Sequence, residues 1–214
     1  MGELNFFLGL QVKQTDENIF INQAKYIKDL LKKYGMETVT PMVTPMTTTS
    51  KLDKDQQAKS VDITKYRGII DSLLYLTACR SDIMFATCIC ARFQVNPNES
   101  HLMCVKKIWR YLKSTPTLGL WYPKKFPFEL TGYVDADFAV CKIDMKNTSG
   151  TCQLRGNRLV SWFNNKQNSV STSTAEAEYI TAGSCCAQIL WMKTQLADYE
   201  FDFKSVPIFM ITLV

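Results

Sequence analysis

The sequence predicts an α/β protein whose closing half is a mixed sheet in the order β-β-β-α-β, preceded by a hairpin and a helical connecting region. Three observations predict it. After Pro116 the pattern turns to short β-type runs, FELTGYV (128–134), SGTCQLRG (149–156) and RLVSWF (158–163). A helical pattern then occupies about 174–198. An apolar run, SVPIFMITLV (205–214), closes the chain. A strand reached through a helical crossover pairs parallel to an earlier one, which makes the sheet mixed.

The front elements follow the same reasoning. LNFFLGLQVKQ (4–14), the polar turn TDEN and IFIN (19–22) predict a hairpin. AKYIKDLLKKYG (24–35) places Tyr26, Ile27, Leu30, Leu31 and Tyr34 at helical spacing, with Gly35 as the stop. Residues 37–61 hold two Thr-Pro steps, a Thr run and no sustained apolar period, so they read as an extended linker and a boundary. Three helices are expected between 62 and 114: ITKYRGIIDSLLYLTA, SDIMFATCICARFQ and NESHLMCVKKIWRYLK. Gly156-Asn157 is the turn signal between the last two strands before the long helix. The expected segments are 1–36, the linker 37–61, the helical region 62–127 and the mixed sheet 128–214.

The 214 residues are 46% hydrophobic, enough for one large core or two small ones, and no run of about 18 apolar residues is present to span a bilayer. The eight cysteines contain no C-x-x-C pair and His101 is the sole histidine, a poor donor set for zinc. Without a signal peptide, and with Cys88, Cys90, Cys185 and Cys186 inside apolar helical patterns, the thiols read as reduced core residues of an intracellular protein, in cytoplasm or nucleus. Residues 1–128 hold 18 Lys/Arg against 11 Asp/Glu, and residues 129–214 hold 7 against 9. The basic front permits a nucleic-acid partner. Lys106, Arg110 and Lys113, at i, i+4 and i+7 of the third helix, form a stripe that suits a phosphate backbone and equally suits a solvated face.

The chemistry centres on YVDADF (133–138), where Asp135 and Asp137 stand two apart at a strand end and point to one face. Two acids on one strand cannot hold Mg²⁺ alone, since a two-metal site draws three or four carboxylates from different elements. STAEAEY (173–179) supplies further candidates, with Glu176 and Glu178 about 200° apart around the helix. Ser173-x-x-Glu176 fits a capping box, which gives Glu176 a structural task and leaves Glu178 as the ligand. A stripe through Glu178, Ala182, Cys185 and Ile189 predicts that this face packs onto the sheet.

The motifs YVDAD, NTSGTCQ, LVSWFNNKQ and STAEAEYI, in that order, resemble the ribonuclease H domain of copia-type (Pseudoviridae) retrotransposon Pol polyproteins. LNFFLGLQV, QAKYIKDLLKKYGM, YRGIIDSLLYLT, RSDIMFA, NPNESHLMCVKKIWRYLKSTP and LGLWYP resemble the stretch between polymerase palm and ribonuclease H in the same polyproteins. The resemblance implies a ribonuclease H-like fold and hydrolysis of RNA in RNA–DNA hybrids with two Mg²⁺ or Mn²⁺ ions. By motif, Asp135 matches the first catalytic carboxylate and Glu178 the second, and Asp137 is a neighbour that could join the metal shell. Lys106, Arg110, Lys113, the pair Lys124-Lys125 and Lys166 are the candidate nucleic-acid contacts.

The pattern fails at one place that matters. The family's third carboxylate ends the strand after the helix, and here the matching place falls near Ile211-Thr212, inside PIFMITLV. The family's remaining helices and last acidic residue would follow the chain, and its Tyr-x-Asp-Asp polymerase motif would precede MGELNFFLGL, so the expected domain is truncated and without a polymerase centre. Asp71, Ser81 and Val140 also depart from the residues the family favours. The expectation is a ribonuclease H-type hydrolase with an incomplete metal site, or a non-catalytic nucleic-acid-binding remnant.

Overall fold

The computed structural model describes residues 5–46, 52, 59–125, 127–137 and 146–211. The chain divides into two compact units, Met1–Lys125 and Phe126–Val214.

In the first unit, β1 (Phe6–Phe7), β2 (Leu10–Gln14) and β3 (Asn18–Asn22) run antiparallel, so the expected hairpin is present. Thr15 closes its turn: the hydroxyl accepts from the Asn18 N–H at 3.1 Å. Helix α1 (Ala24–Lys33) follows and buries Ile27, Leu30 and Leu31. Gly35 ends it with φ +65°, a left-handed value that a residue with a Cβ adopts only at a cost. Helices α2 (Ile63–Leu76), α3 (Met84–Ala91, entered through a short 3₁₀ turn, Ser81–Ile83) and α4 (Glu99–Ser114) match the three expected helices. Asp62 caps α2 by accepting from the Lys65 N–H. Asn98 caps α4 and is answered by His101, whose Nδ1 accepts from the Asn98 N–H at 3.1 Å. The one histidine is therefore buried at a helix end and stacked on Phe93.

A strand absent from the sequence reading, β4 (Gly119–Pro123), pairs antiparallel with β3 and completes a four-stranded sheet, β1-β2-β3-β4. Gly119 fits there because a Cβ would collide with the Ile21 carbonyl oxygen. The sequence reading separates the hairpin and α1 from the helical region, whereas α1 shares one core with α2 and α4: Ile27, Leu30 and Leu31 lie with Tyr66, Leu73, Ile108 and Trp109. The expected linker is tied at its described ends. The Met42 N–H donates to the Arg110 carbonyl at 3.2 Å, and Ser60 bridges to Asn98.

The second unit is a mixed sheet in the order β7-β6-β5-β8 with one helix. Strands β5 (Leu130–Asp137), β6 (Thr148–Arg155) and β7 (Arg158–Lys166) are antiparallel. Gly156 and Asn157, both at positive φ (51° and 61°), make the tight turn between β6 and β7. Helix α5 (Thr174–Ala197) crosses over to β8 (Ile208–Met210), which lies parallel to β5. The core is Leu130, Val134, Cys185 and Ile189, and Gly132 lets α5 approach: a Cβ there would stand 2.7 Å from Ile189 Cδ1. The order β-β-β-α-β is as expected, with a shorter described last strand than the run 205–214. Among the described residues no helix is long and apolar enough to cross a membrane.

Candidate functional site

Alternation along β5 decides where its acids point. Gly132 and Val134 face α5, so Tyr133 and Asp135 lie on the opposite face of the sheet. Tyr133 stacks there on Phe209 of β8, with ring centroids 5.5 Å apart. Asp135 is exposed and sits opposite Gly150 of β6, where an added Cβ would come 4.0 Å from that of Asp135. Asp137 ends the strand opposite Thr148, and its side chain lies outside the described residues. Val140 and Thr212 lie outside them as well.

On α5 the sheet-facing residues are Ala177, Thr181, Cys185 and Ile189. The expected stripe through Glu178 and Ala182 is thus turned by one residue, because small side chains on both flanks of the helix leave its apolar period ambiguous. Glu178 is half-buried at the edge of the packing face. Glu176 is exposed and caps the helix, though not as the sequence reading expects: its carboxylate accepts from the Thr172 N–H at 2.6 Å and the Thr172 hydroxyl at 2.8 Å, one residue before Ser173. Those hydrogen bonds hold its carboxyl below the ordinary range. Ser173 plays its expected part, accepting from the Glu176 N–H at 3.2 Å.

Of the place near Ile211-Thr212 expected to lack the third carboxylate, only Ile211 lies among the described residues. Val134 pairs with Met210 in parallel register, and the Ile211 N–H donates to the Val134 carbonyl at 2.9 Å. One residue on, Ile211 stands beside Asp135. Among the described residues no three His, Cys, Asp or Glu side chains come together to hold a metal ion. Burial raises the thiols of Cys79, Cys88, Cys90, Cys104, Cys152 and Cys185, which favours their protonated form.

The basic stripe of α4 is partly committed elsewhere. Arg110 Nε donates to the Thr40 carbonyl at 2.6 Å and Lys113 Nζ to the Val39 carbonyl at 2.7 Å, so both hold the segment after α1 against the helix. Lys106 is exposed, as are Lys124, Lys125 and Lys166.

A polar cluster that the sequence reading missed lies on the α5 side of the sheet. Gln167, buried just past β7, donates from Nε2 to Ser149 Oγ and to the Ala177 carbonyl, both at 3.0 Å. Its Oε1 accepts from Ser171 Oγ at 3.0 Å and Asn147 Nδ2 at 3.2 Å, while Ser149 and Thr181 hydroxyls meet at 2.7 Å. The one available signal was alternation: Ser149, Thr151 and Gln153 share a face, and a row of small polar residues reads as solvent-facing although here it faces the helix.

No family model matches the chain, and no solved structure does. Similar proteins do. The retrovirus-related Pol polyprotein from transposon RE1 of Arabidopsis thaliana is 35% identical over 206 residues, covering 96% of this chain and 14% of the polyprotein. That from transposon TNT 1-94 of Nicotiana tabacum is 30% identical over 218 residues, 98% of this chain and 16% of the polyprotein. An uncharacterized mitochondrial protein of Arabidopsis thaliana is 32% identical over 192 residues, 89% of this chain and 79% of that protein. The chain thus spans about a seventh of the length of the polyproteins it matches. With this identity sustained from end to end, the chain's homologues are copia-type retrovirus-related Pol polyproteins of transposons.

Proposed function

We propose that the chain is the segment of a retrotransposon Pol polyprotein that runs from the end of the reverse transcriptase through a ribonuclease H-like domain, and that its second unit does not hydrolyse RNA by itself. Supporting the first part is the strand order β7-β6-β5-β8 with a helical crossover, carrying Asp135 on the central strand and Glu178 on the helix. Carrying the second is Ile211. Two Mg²⁺ or Mn²⁺ ions need three or four hard oxygen ligands from separate elements, and Ile211, just past the strand that pairs with β5, offers a sec-butyl side chain in the place of a carboxylate.

Among the described residues no set of acids fits a pair of divalent ions. Asp135 and Glu178 are the acids this reading keeps as ligands, with Asp137 at the end of the same strand as a further candidate, and no hydrolytic step is assigned to them. An RNA–DNA hybrid remains the partner this reading names.

The test is a labelled hybrid incubated with the full chain and Mg²⁺ or Mn²⁺. The expected result is no RNA cleavage above that of Asp135→Asn. Cleavage by the wild-type chain that both Asp135→Asn and Glu178→Gln abolish would overturn the reading.

A further inference from the structure

Helix α5 lies over β5 and β6 and reaches β7 through the hydrogen bond from Gln188 Nε2 to Ser161 Oγ at 3.2 Å. Beside it the same face of β7 is left open as a cleft of about 540 Å³, the size of a small-ligand site. Phe163, Asn165 and Lys166 on β7, Asn168 just beyond it, and Ile180 and Ser184 on α5 form its walls. Among the described residues no carboxylate lines it.

The floor and the rim differ in kind. Ser149 and Gln167 form the floor, and their side chains already belong to the buried network, so this part is fixed without a ligand. At the rim, Asn165 and Asn168 are exposed with no side-chain partner among the described residues, and the exposed ammonium of Lys166 stands between them in sequence. The loop that presents Asn168 is held by Lys146, whose Nζ donates to the Asn168 carbonyl at 2.5 Å.

An amide sets a donor beside an acceptor, as the edge of a nucleobase does; an aromatic wall suits the face of a base, and an ammonium suits phosphate. We propose that this cleft binds one nucleotide unit, with its base against Phe163, its base edge on Asn165 and Asn168, and its phosphate toward Lys166. A free mononucleotide and an unpaired nucleotide of a single strand present the same chemistry. The cleft lies on the α5 face and Asp135 on the other, so the two are separate places on the sheet, although Lys166 is also one of the nucleic-acid contacts expected from the sequence.

The experiment titrates the full chain with the four nucleoside 5′-monophosphates and, separately, with a short fluorescein-labelled single strand. Amide shifts at 163–169 and 180–184 and fluorescence anisotropy are the readouts. Binding is expected to weaken about tenfold in Asn165→Ala/Asn168→Ala and in Phe163→Leu, the latter being the loss of one stacked base. Asn168→Ala changes an exposed side chain and keeps the wild-type melting temperature, so a loss in it is a loss of binding. A response to mononucleotides, or to the strand alone, identifies the source, and either supports the site. The proposal is overturned if neither ligand moves these amides, if the variants bind as wild type, or if a polyglutamate peptide competes equally and marks an acidic partner.

Discussion

Replacing Gln167 with alanine removes the centre of the network that ties the end of β7 to β6 and α5. Five hydrogen bonds are lost: three from Nε2, to Ser149 Oγ, the Ala177 carbonyl and Thr181 Oγ1, and two to Oε1, from Ser171 and Asn147. Each contributes about 1 kcal/mol net, and a buried partner left alone costs about 1–3 kcal/mol. Water can enter the polar space left by the side chain and offset part of that cost. The expected loss is about 3–4 kcal/mol, a large share of the roughly 5–15 kcal/mol that holds a domain folded. Native-state hydrogen exchange reads each unit separately. Amides of β6 and α5 should lose protection by several hundredfold, while those of Leu73 and Val105 in the first unit keep theirs. Protection in β6 unchanged within about threefold, or an equal loss in the first unit, would refute the assignment.

Two further outcomes follow from buried contacts. Burial alone would raise the Asp82 carboxyl, but hydrogen bonds from Arg80 and Tyr111 and the charge of Arg80 outweigh it and hold the group below its ordinary range. A carboxyl depressed in the fold contributes stability that is present above its unfolded value, about 3.9, and lost as pH falls through the folded value. Urea melts of the first unit across that acid range should therefore fall more steeply for wild type than for Asp82→Asn, which at neutral pH is already weaker by about 3–5 kcal/mol because Arg80 stays buried without its counter-charge; parallel acid slopes would contradict this. Gly132→Ala should cost about 1–3 kcal/mol by urea melt, since its Cβ meets Ile189 Cδ1 at 2.7 Å and Cys185 Sγ at 2.9 Å, and Ile189→Val in the same chain should recover part of it. A neutral Gly132→Ala would mean that α5 stands farther from the sheet.

Local signals carried much of the fold. The hairpin, α1 with its Gly35 stop, the three helices of the front and the Gly156-Asn157 turn all rest on spacing and turn chemistry within a few residues, and those are the features that sequence expresses. β4 was missed because its five residues, GLWYP, are bracketed by Gly and Pro and owe their strand state to β3, some hundred positions earlier. Pairing of that range leaves no periodic trace. The same limit hid the partners of Arg110 and Lys113: their spacing on α4 was legible, but the Val39 and Thr40 carbonyls they hold were not. Glu178 was singled out by giving Glu176 a capping task, which it has through Thr172, and by a stripe that is off by one, as Ala177 rather than Glu178 faces the sheet. Gln167 gave no signal, since an amide at a strand end reads as exposed until the helix that covers it is in place.

The most direct measurement of the central idea, that the site beside Asp135 lacks a carboxylate where Ile211 stands, is a Mn²⁺ titration of wild type and Ile211→Asp followed by paramagnetic broadening of amides at 133–136 and 209–211. Restoring an acid next to Asp135 should produce localised broadening at low Mn²⁺ that Asp135→Asn removes, while wild type shows none at the same concentration. Equal, Asp135-dependent broadening in the wild-type chain would show that the site is complete without residue 211 and would contradict the account.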